Sequence, residues 1–408
     1  MNSPGNDLPP IPGHVPPDLV LPFELGSQMR TLEDPYATLI PRIQRGPEIF
    51  FAVNLPPSGQ SAWILCRAKD MRSVYADTTN FSRHGHGGFA AAIGETWDSI
   101  PSELNPPRHG AFRAVLNPLF QANRLAKFED RVRHRARELV SRLRIRGECD
   151  FVVDFAQPFP VSIFLEVMGL AQDNVAQLLA WEHDLLHTSD RIRRAAAVRS
   201  VKNLLLAAIE DHRRHPRSDL IGMAIEAQVE GRPFSELEVL GLCFNLYVGG
   251  LDTVTSNLGL HYYHLAGRPD HQAILRRNAS AIPAALEELL RAYAAVTTFR
   301  TCSREIQLRG VTVKPGDRVA LSTPLGGRDP FEYDSPDEVL LDRGKRHLSF
   351  GNGAHFCLGA QLARRELYIA MEEFLSAVPD FRIVPGTKIP FFLGPVIHVE
   401  SLPLEWDH

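Results

Sequence analysis

The sequence predicts a mainly α-helical protein with small β-sheets, folded as one large domain behind an N-terminal arm. Three observations predict it. Apolar residues recur at helical spacing over most of the chain, above all in one run over 235–266. Short β-like runs are confined to three places, 49–66, 301–322 and 381–404. No Ser/Gly linker, repeat or low-complexity tract divides the 408 residues, and 44% hydrophobic content can fill one big core.

Composition excludes several classes. A net charge of −4 and an isoelectric point near 6.5 make no electrostatic case for nucleic acid. The five cysteines (Cys66, Cys149, Cys243, Cys302, Cys357) are scattered, odd in number and never spaced C-x-x-C. A reducing compartment is therefore expected, and a disulfide framework is not. The N-terminus has no apolar run long enough for a bilayer and no signal-peptide core, so a cytoplasmic protein without membrane attachment is expected. Residues 1–33 are rich in proline (Pro4, Pro9, Pro10, Pro12, Pro16, Pro17, Pro22) and read as an extended arm on the surface or partly disordered. The folded domain is expected over 34–408.

In chain order, Asp34 as N-cap and Pro35 behind it start a helix over 34–43. Runs 49–54 and 62–66 read as strands joined by the turn-rich Leu55-Pro56-Pro57-Ser58-Gly59. Over 81–102 the periodicity dissolves, because His84, Gly85, His86, Gly87 and Gly88 break any helix. A His84/His86 metal site has no carboxylate or cysteine beside it in sequence, so a mobile loop is the better reading. Asn105, followed by Pro106 and Pro107, starts a helix over 105–120 that places His109 and Arg113 on one face. The arginine-crowded run 123–146 carries Leu125, Phe128, Val132, Ala136, Leu139 and Leu143 at helical spacing and reads as an amphipathic surface helix. Helical patterns continue through 164–168, 175–187 and 191–214, with breaks at Gly169 and Pro216.

Ser235 and Glu238 form a capping-box pattern at the head of the longest run, which stops at Gly267-Arg268-Pro269. At 1.5 Å per residue it spans roughly 45 Å, enough to cross a domain. Its middle reads Tyr247-Val248-Gly249-Gly250-Leu251-Asp252-Thr253. Two mid-helix glycines cost about 1 kcal/mol each against alanine, and a buried carboxylate is expensive as well. Either the glycines let another helix cross closely while Asp252 reaches solvent, or they kink the helix and make room for a bound group. In the second case the carboxylate beside an alcohol is a proton path. Helix 283–294 carries Glu288 and Arg291 on one face at i, i+3. Strands follow over 301–308, 311–313 and 319–322, with Arg300 at their start, and a further small sheet over 381–404.

The stretch 347–365 reads H-L-S-F-G-N-G-A-H-F-C-L-G-A-Q-L-A-R-R, a glycine-rich loop feeding a helix marked by Leu362, Leu367, Ile369, Ala370 and Phe374. Cys357 lies just before that helix, where unpaired N–H groups and the helix dipole favour a thiolate. The glycines let the backbone pass close to something flat. A thiolate pressed against a planar surface is how protein sulfur ligates haem iron. A buried free cysteine beside a glycine turn would not need so many placed residues.

Phe350, Gly351, Gly353, His355, Cys357 and Gly359, followed by Leu362-Ala363-Arg364, resemble the haem-ligand signature of the cytochromes P450. The resemblance implies a helical bundle around a buried haem b, with the 235–266 helix at its centre. It implies Cys357 as the iron's axial ligand, Phe350 shielding the sulfur and Gly359 against the cofactor. It places His109, Arg113, Arg300 and His355 at the haem propionates. Gly249-Gly250-x-Asp252-Thr253 resembles the family's oxygen-activation motif, with Asp252 relaying protons and Thr253 acting at the oxygen site. Glu288 and Arg291 resemble its buried structural pair, with Arg343 as third member.

Within the family the chain is most similar to the camphor 5-monooxygenase group, through Glu287-Glu288-Leu289-Leu290-Arg291, Gly249-Gly250-Leu251-Asp252-Thr253-Val254, Leu358-Gly359, Leu362-Ala363-Arg364-Arg365-Glu366 and Leu402-Pro403-Leu404 before Trp406. That likeness implies electrons from a [2Fe–2S] ferredoxin recharged by a flavin reductase. Lys345, Arg346, Arg364 and Arg365 are the candidate docking face. Trp97 stands where the camphor enzyme has a tyrosine hydroxyl, Asn245 where it has an apolar residue and Gly88 where it has an aromatic one. Camphor itself is therefore not the expected substrate. Trp97, Asn245, Val248, Gly249, Val296 and Val396 are the candidate pocket for a small apolar cyclic molecule, a terpenoid or a norisoprenoid such as an ionone. The resulting expectation is a haem-thiolate monooxygenase using O₂. Its rivals are a non-catalytic ligand or gas sensor, which needs no proton relay, and a peroxide-using relative, which lacks the acid–alcohol pair.

Overall fold

One helix of 31 residues, Glu236–Ala266, runs through the middle of the computed structural model, which describes residues 10–56, 59–173 and 175–407. Its predicted cap is present: the Ser235 hydroxyl accepts the Glu238 N–H, and the Glu238 carboxylate accepts the Ser235 N–H at 2.8 Å. Among the described residues this helix alone is long and apolar enough to cross a membrane, yet most of its apolar stretch is buried inside the fold. Leu240, Phe244, Tyr247, Leu251, Leu258 and Tyr262 lie in the core. Helices Pro158–Met168, Arg191–Arg214 and Ala360–Ala377 pack on it, and Ala122–Arg144 packs outside Ala360–Ala377. The aromatic centre is dense: Tyr262 stacks on Phe151 at 3.9 Å, and Phe374 meets Tyr262 edge-on at 5.0 Å.

The largest sheet has five strands in the spatial order Ile49–Leu55, Gln60–Leu65, Arg318–Ser322, Thr297–Cys302, Phe81–Ser82. Only Gln60–Leu65 and Arg318–Ser322 run parallel, with Trp63 opposite Val319. A second sheet joins Glu148–Asp150, Pro403–Trp406 and Phe381–Ile383, and a third joins Met29–Thr31, Phe391–Leu393 and His398–Val399. Mainly helical architecture with small sheets is as the periodicity predicts.

Several elements depart from the sequence reading. Much of the proline-rich arm is packed: Val15, Phe23 and Leu25 are core residues, and Met29 pairs with Leu393, while Pro10, Ile11 and Gly13 stay exposed. Distant apolar surface decides that, which local composition does not report. Residues 1–9, 57 and 58, which carry part of the arm and of the turn-rich connection, lie outside the described residues. The helix read as 164–168 begins at Pro158, because Pro158 and Pro160 occupy its first turn, where a missing N–H costs nothing. The strand read as 301–308 is two strands, Thr297–Cys302 and Ile306–Leu308, so Arg300 sits within a strand. Asn105 does not cap its helix. Its side chain accepts Arg83 N–H at 2.9 Å and donates to Ser82 at 2.8 Å, tying strand to loop. The loop 81–102 contains the short helix Phe89–Ala92.

Candidate active site

The cysteine loop is closed by its own backbone. Cys357 N–H donates to Phe350 O at 2.9 Å, and the helix Ala360–Ala377 starts immediately after Gly359. Gly353 has φ +70°, and a side chain there would meet Tyr75 O at 2.7 Å, so only glycine fits. The Arg364 guanidinium covers the Phe350 ring at 4.3 Å and pairs with Glu287 at 2.6 Å, bracing the loop against the 282–292 helix. Among the described residues Cys357 is the one exposed free cysteine; the other four are buried. Burial nonetheless pushes its thiol up, against the opposing pull of Gly359 N–H, Arg113 and Arg364. The residue is thus exposed, while the protein around its sulfur disfavours the charged form. The helix-terminus argument therefore does not make a thiolate here unaided, and a metal cation is the natural partner.

The candidate propionate residues converge on unbalanced positive charge. The His109 and His355 rings lie 4.1 Å apart. His355 Nε2 meets Leu104 O at 2.8 Å, while His355 Nδ1 and His109 Nε2 are buried without a partner. Burial pushes His109 down to about 4 and His355 to about 3, so both stand as neutral imidazoles. Arg300 Nη1 reaches only its own strand, Phe299 O at 2.8 Å, and burial followed by repulsion from Arg83 lowers it to about 9. Arg83, which sequence reading missed, is half-buried beside it and donates to Phe299 O at 3.4 Å; desolvation lowers it while the Glu103 carboxylate pulls the other way. Neither Arg83 nor Arg300 has an ion pair among the described residues. Arg113 Nη1 donates to Phe356 O at 2.8 Å. Two arginines without an ion pair and buried imidazole nitrogens without partners are what a dianion would satisfy, and haem b carries two carboxylates. The residues present fit that group.

On the long helix the two glycines divide the two readings between them. A Cβ on Gly250 would sit 2.3 Å from Phe164, so Gly250 serves a close helix crossing, whereas Gly249 faces nothing within 4 Å. The helix runs without interruption across them, so the expected kink is no break. Thr253 Oγ1 donates to Gly249 O at 3.1 Å. Asp252 does not reach solvent. It is buried, accepts from Ser256 at 3.2 Å and meets His187 Nε2 at 3.2 Å. Burial pushes the Asp252 carboxyl up, but His187 outweighs it and holds the group below its usual range. His187, Glu182 and His398 around it were not singled out from sequence; only their meeting in space makes them notable.

Among the pocket candidates, Val296 and Val396 are bridged by backbone pairing. Trp97 is buried against Phe244 at 4.9 Å, and its indole N–H is taken by Glu95 at 2.8 Å. Asn245 Oδ1 accepts from Ser102 Oγ. In the structural pair, Arg291 donates to Glu288 at 2.7 and 2.8 Å, and Arg343 Nε lies 3.0 Å from the same carboxylate. Of the candidate docking cations, Arg364 pairs with Glu287, Arg365 with Glu129 at 3.2 Å and Lys345 with Asp334 at 3.8 Å.

Comparison with known proteins agrees with this geometry. The family model for cytochrome P450 matches residues 160–399. The chain is 40% identical over 403 residues to probable cytochrome P450 127A1 of Sinorhizobium fredii, covering 97% of each protein. The crystal structure of CYP101J2 matches at a TM-score of 0.87 and 29% identity, covering 98% of this chain and 100% of that one. CYP101C1 matches at 0.86 and 31%, with the same coverage. A glycine-braced, exposed cysteine, Arg83 and Arg300 without an ion pair among the described residues, and this likeness along nearly the whole chain lead to one conclusion: the chain belongs to the cytochrome P450 family, the haem b-containing, haem-thiolate monooxygenases.

Proposed function

We propose that this monooxygenase hydroxylates a small, mostly apolar cyclic molecule, a terpenoid or a norisoprenoid such as an ionone, with Cys357 as the iron ligand. The observation that carries the reading is Cys357 itself, the one exposed free cysteine among the described residues and yet desolvated. When bound, haem b supplies O₂ activation and insertion of one oxygen atom into a C–H bond. The chain's own residues do the rest. His109, Arg113, Arg300 and His355, with Arg83 added, receive the propionates. The Phe350 carbonyl orients Cys357 through its N–H. Asp252 carries protons toward Thr253, whose hydroxyl is held by Gly249 O. Val248, Gly249, Val296 and Val396 form the apolar wall. With the Trp97 N–H engaged by Glu95 and Asn245 Oδ1 engaged by Ser102, the Asn245 amide –NH₂ is the donor left for a substrate carbonyl. That suits a cyclic ketone of ionone type.

Electrons come from a [2Fe–2S] ferredoxin recharged by a flavin reductase. Arg346 and Lys345 are the cations best placed to greet it, because Arg364 and Arg365 are engaged in closer ion pairs within the fold. Residues 34–408 act as one domain with 10–33 folded against it, in the cytoplasm. The test is an optical titration of the ferric protein with camphor, monoterpenes, ionones and larger apolar rings. A saturable low-spin to high-spin Soret shift with one ring class supports the reading. No shift with any of them sinks the terpenoid assignment.

A further inference from the structure

Four ionisable side chains from three elements meet beside the long helix. Glu182 comes from the helix Val175–Leu186 and His187 from the residue just after it. Asp252 comes from Glu236–Ala266, and His398 from the strand His398–Val399. His187 Nε2 lies 3.2 Å from Asp252 Oδ1 and 3.7 Å from Glu182 Oε1. One ligand atom each from His187, Asp252 and His398 lies within 4.8 Å of the others. The His398 ring is fixed by stacking on Phe392 at 5.2 Å and stands edge-on to His187 at 4.6 Å.

Hydrogen bonding does not satisfy this cluster. Asp252 Oδ2, Glu182 Oε1 and His187 Nδ1 are all buried without a partner. A single proton on His187 Nε2 cannot serve two carboxylates at once, so acceptor atoms are left unsatisfied. We propose that His187, Asp252 and His398, with Glu182 as fourth donor, bind a divalent transition-metal ion of the zinc type, and that occupancy withdraws Asp252 from proton delivery to Thr253. Imidazole and carboxylate donors without thiolate suit Zn²⁺, and tetrahedral bonds of about 2.0–2.2 Å place ligand atoms roughly 3.4 Å apart. The two distances from His187 bracket that spacing, and the His187, Asp252 and His398 ligand atoms all lie within 4.8 Å of one another. Binding requires both imidazoles neutral at the ligating nitrogen and both carboxylates ionised, so it releases protons to solvent. The site is built without the haem residues, whereas its inhibitory effect rests on the proton-relay reading of Asp252.

The test uses the haem-loaded full-length protein. Isothermal titration with Zn²⁺ and ¹¹³Cd NMR read binding, and the ferrous carbon monoxide Soret band verifies the fold of every variant. Expected are one ion per chain, a cadmium resonance in the nitrogen and oxygen ligand region, and weakening of at least about 100-fold in His398→Ala, the upper end of what losing even an outer-shell partner costs. Glu182→Gln weakens binding less and keeps the shape of the site. No bound ion, a thiolate-type cadmium resonance, or unchanged affinity in folded His398→Ala overturns the site. Each variant's turnover is then compared with its own zinc-free rate. Zinc that diverts reducing equivalents to hydrogen peroxide in the parent but not in His398→Ala supports the inhibitory role. Zinc that binds as expected and leaves turnover unchanged overturns that role and the relay reading together, while the binding result stands.

Discussion

Replacing Arg291 tests the core of the fold most directly. Its side chain is fully buried and its donors are all used: Nε and Nη2 on Glu288 at 2.7 and 2.8 Å, Nη1 on Gly327 O at 2.6 Å and Pro336 O at 2.9 Å, Nη2 on Glu338 O at 2.8 Å. Breaking a buried pair from one side costs about 3–5 kcal/mol, because the other charge is stranded. Here Arg343, at 3.0 Å, and the Leu340 N–H, at 2.9 Å, still face Glu288, which holds that cost near the low end. The carbonyls of Gly327 and Pro336 lose their arginine donor and add about 1–3 kcal/mol between them. Arg291→Ala should therefore lose about 4–6 kcal/mol, a large share of a typical native margin of about 5–15 kcal/mol. Arg291→Lys keeps the charge but has only three donors without the planar fork, and should lose about half as much. Urea unfolding followed by far-ultraviolet circular dichroism and by the Soret band measures both. An alanine variant within about 1 kcal/mol of the parent, or a lysine variant as damaged as alanine, would refute the geometry.

Other expectations follow from the same contacts. Thr253→Ala removes the hydroxyl held by Gly249 O and should divert most reducing equivalents from product to hydrogen peroxide, read by comparing cofactor oxidation with product formed; unchanged coupling would count against its role. Gly250→Ala would drive a methyl group into Phe164 and should cost about 1–3 kcal/mol, whereas Gly249→Ala meets nothing and should not lower the thermal midpoint of the haem-free protein; equal losses would contradict the crossing. Burial pushes Glu287 up, but His347 and Arg364 outweigh it and bring the carboxyl to about 2. The folded value lies below the unfolded one, so this stabilisation is complete above the ordinary carboxylate range and is lost as pH falls from about 4.5 toward 2. With the Glu287 side chain 37% exposed, screening reduces it to roughly 1 kcal/mol. Glu287→Gln should remove that part of the acid sensitivity in melts at pH 7 and pH 3; a variant with the parent's pH slope would exclude it.

Local signals carried the parts of the molecule whose physics is local. The capping box at Ser235 and Glu238, the glycine-braced Cys357 loop and the helix after it are short-range patterns, and they were legible because each residue type answers a need within a few positions. The family, the haem and the mainly helical architecture follow from them. Tertiary structure decided whatever depends on partners far away in the chain. It folded the arm from Val15 onto the core, because the apolar surface that buries Leu25 comes from remote segments. It separated Gly249 from Gly250, identical in sequence but facing open space and Phe164 respectively. It committed the Trp97 indole to Glu95, and it gathered Arg83 and Arg300 beside each other with no ion pair among the described residues. It also buried Asp252 with His187, Glu182 and His398, residues 65 and more positions away, because burial and electrostatics are set by what converges in space.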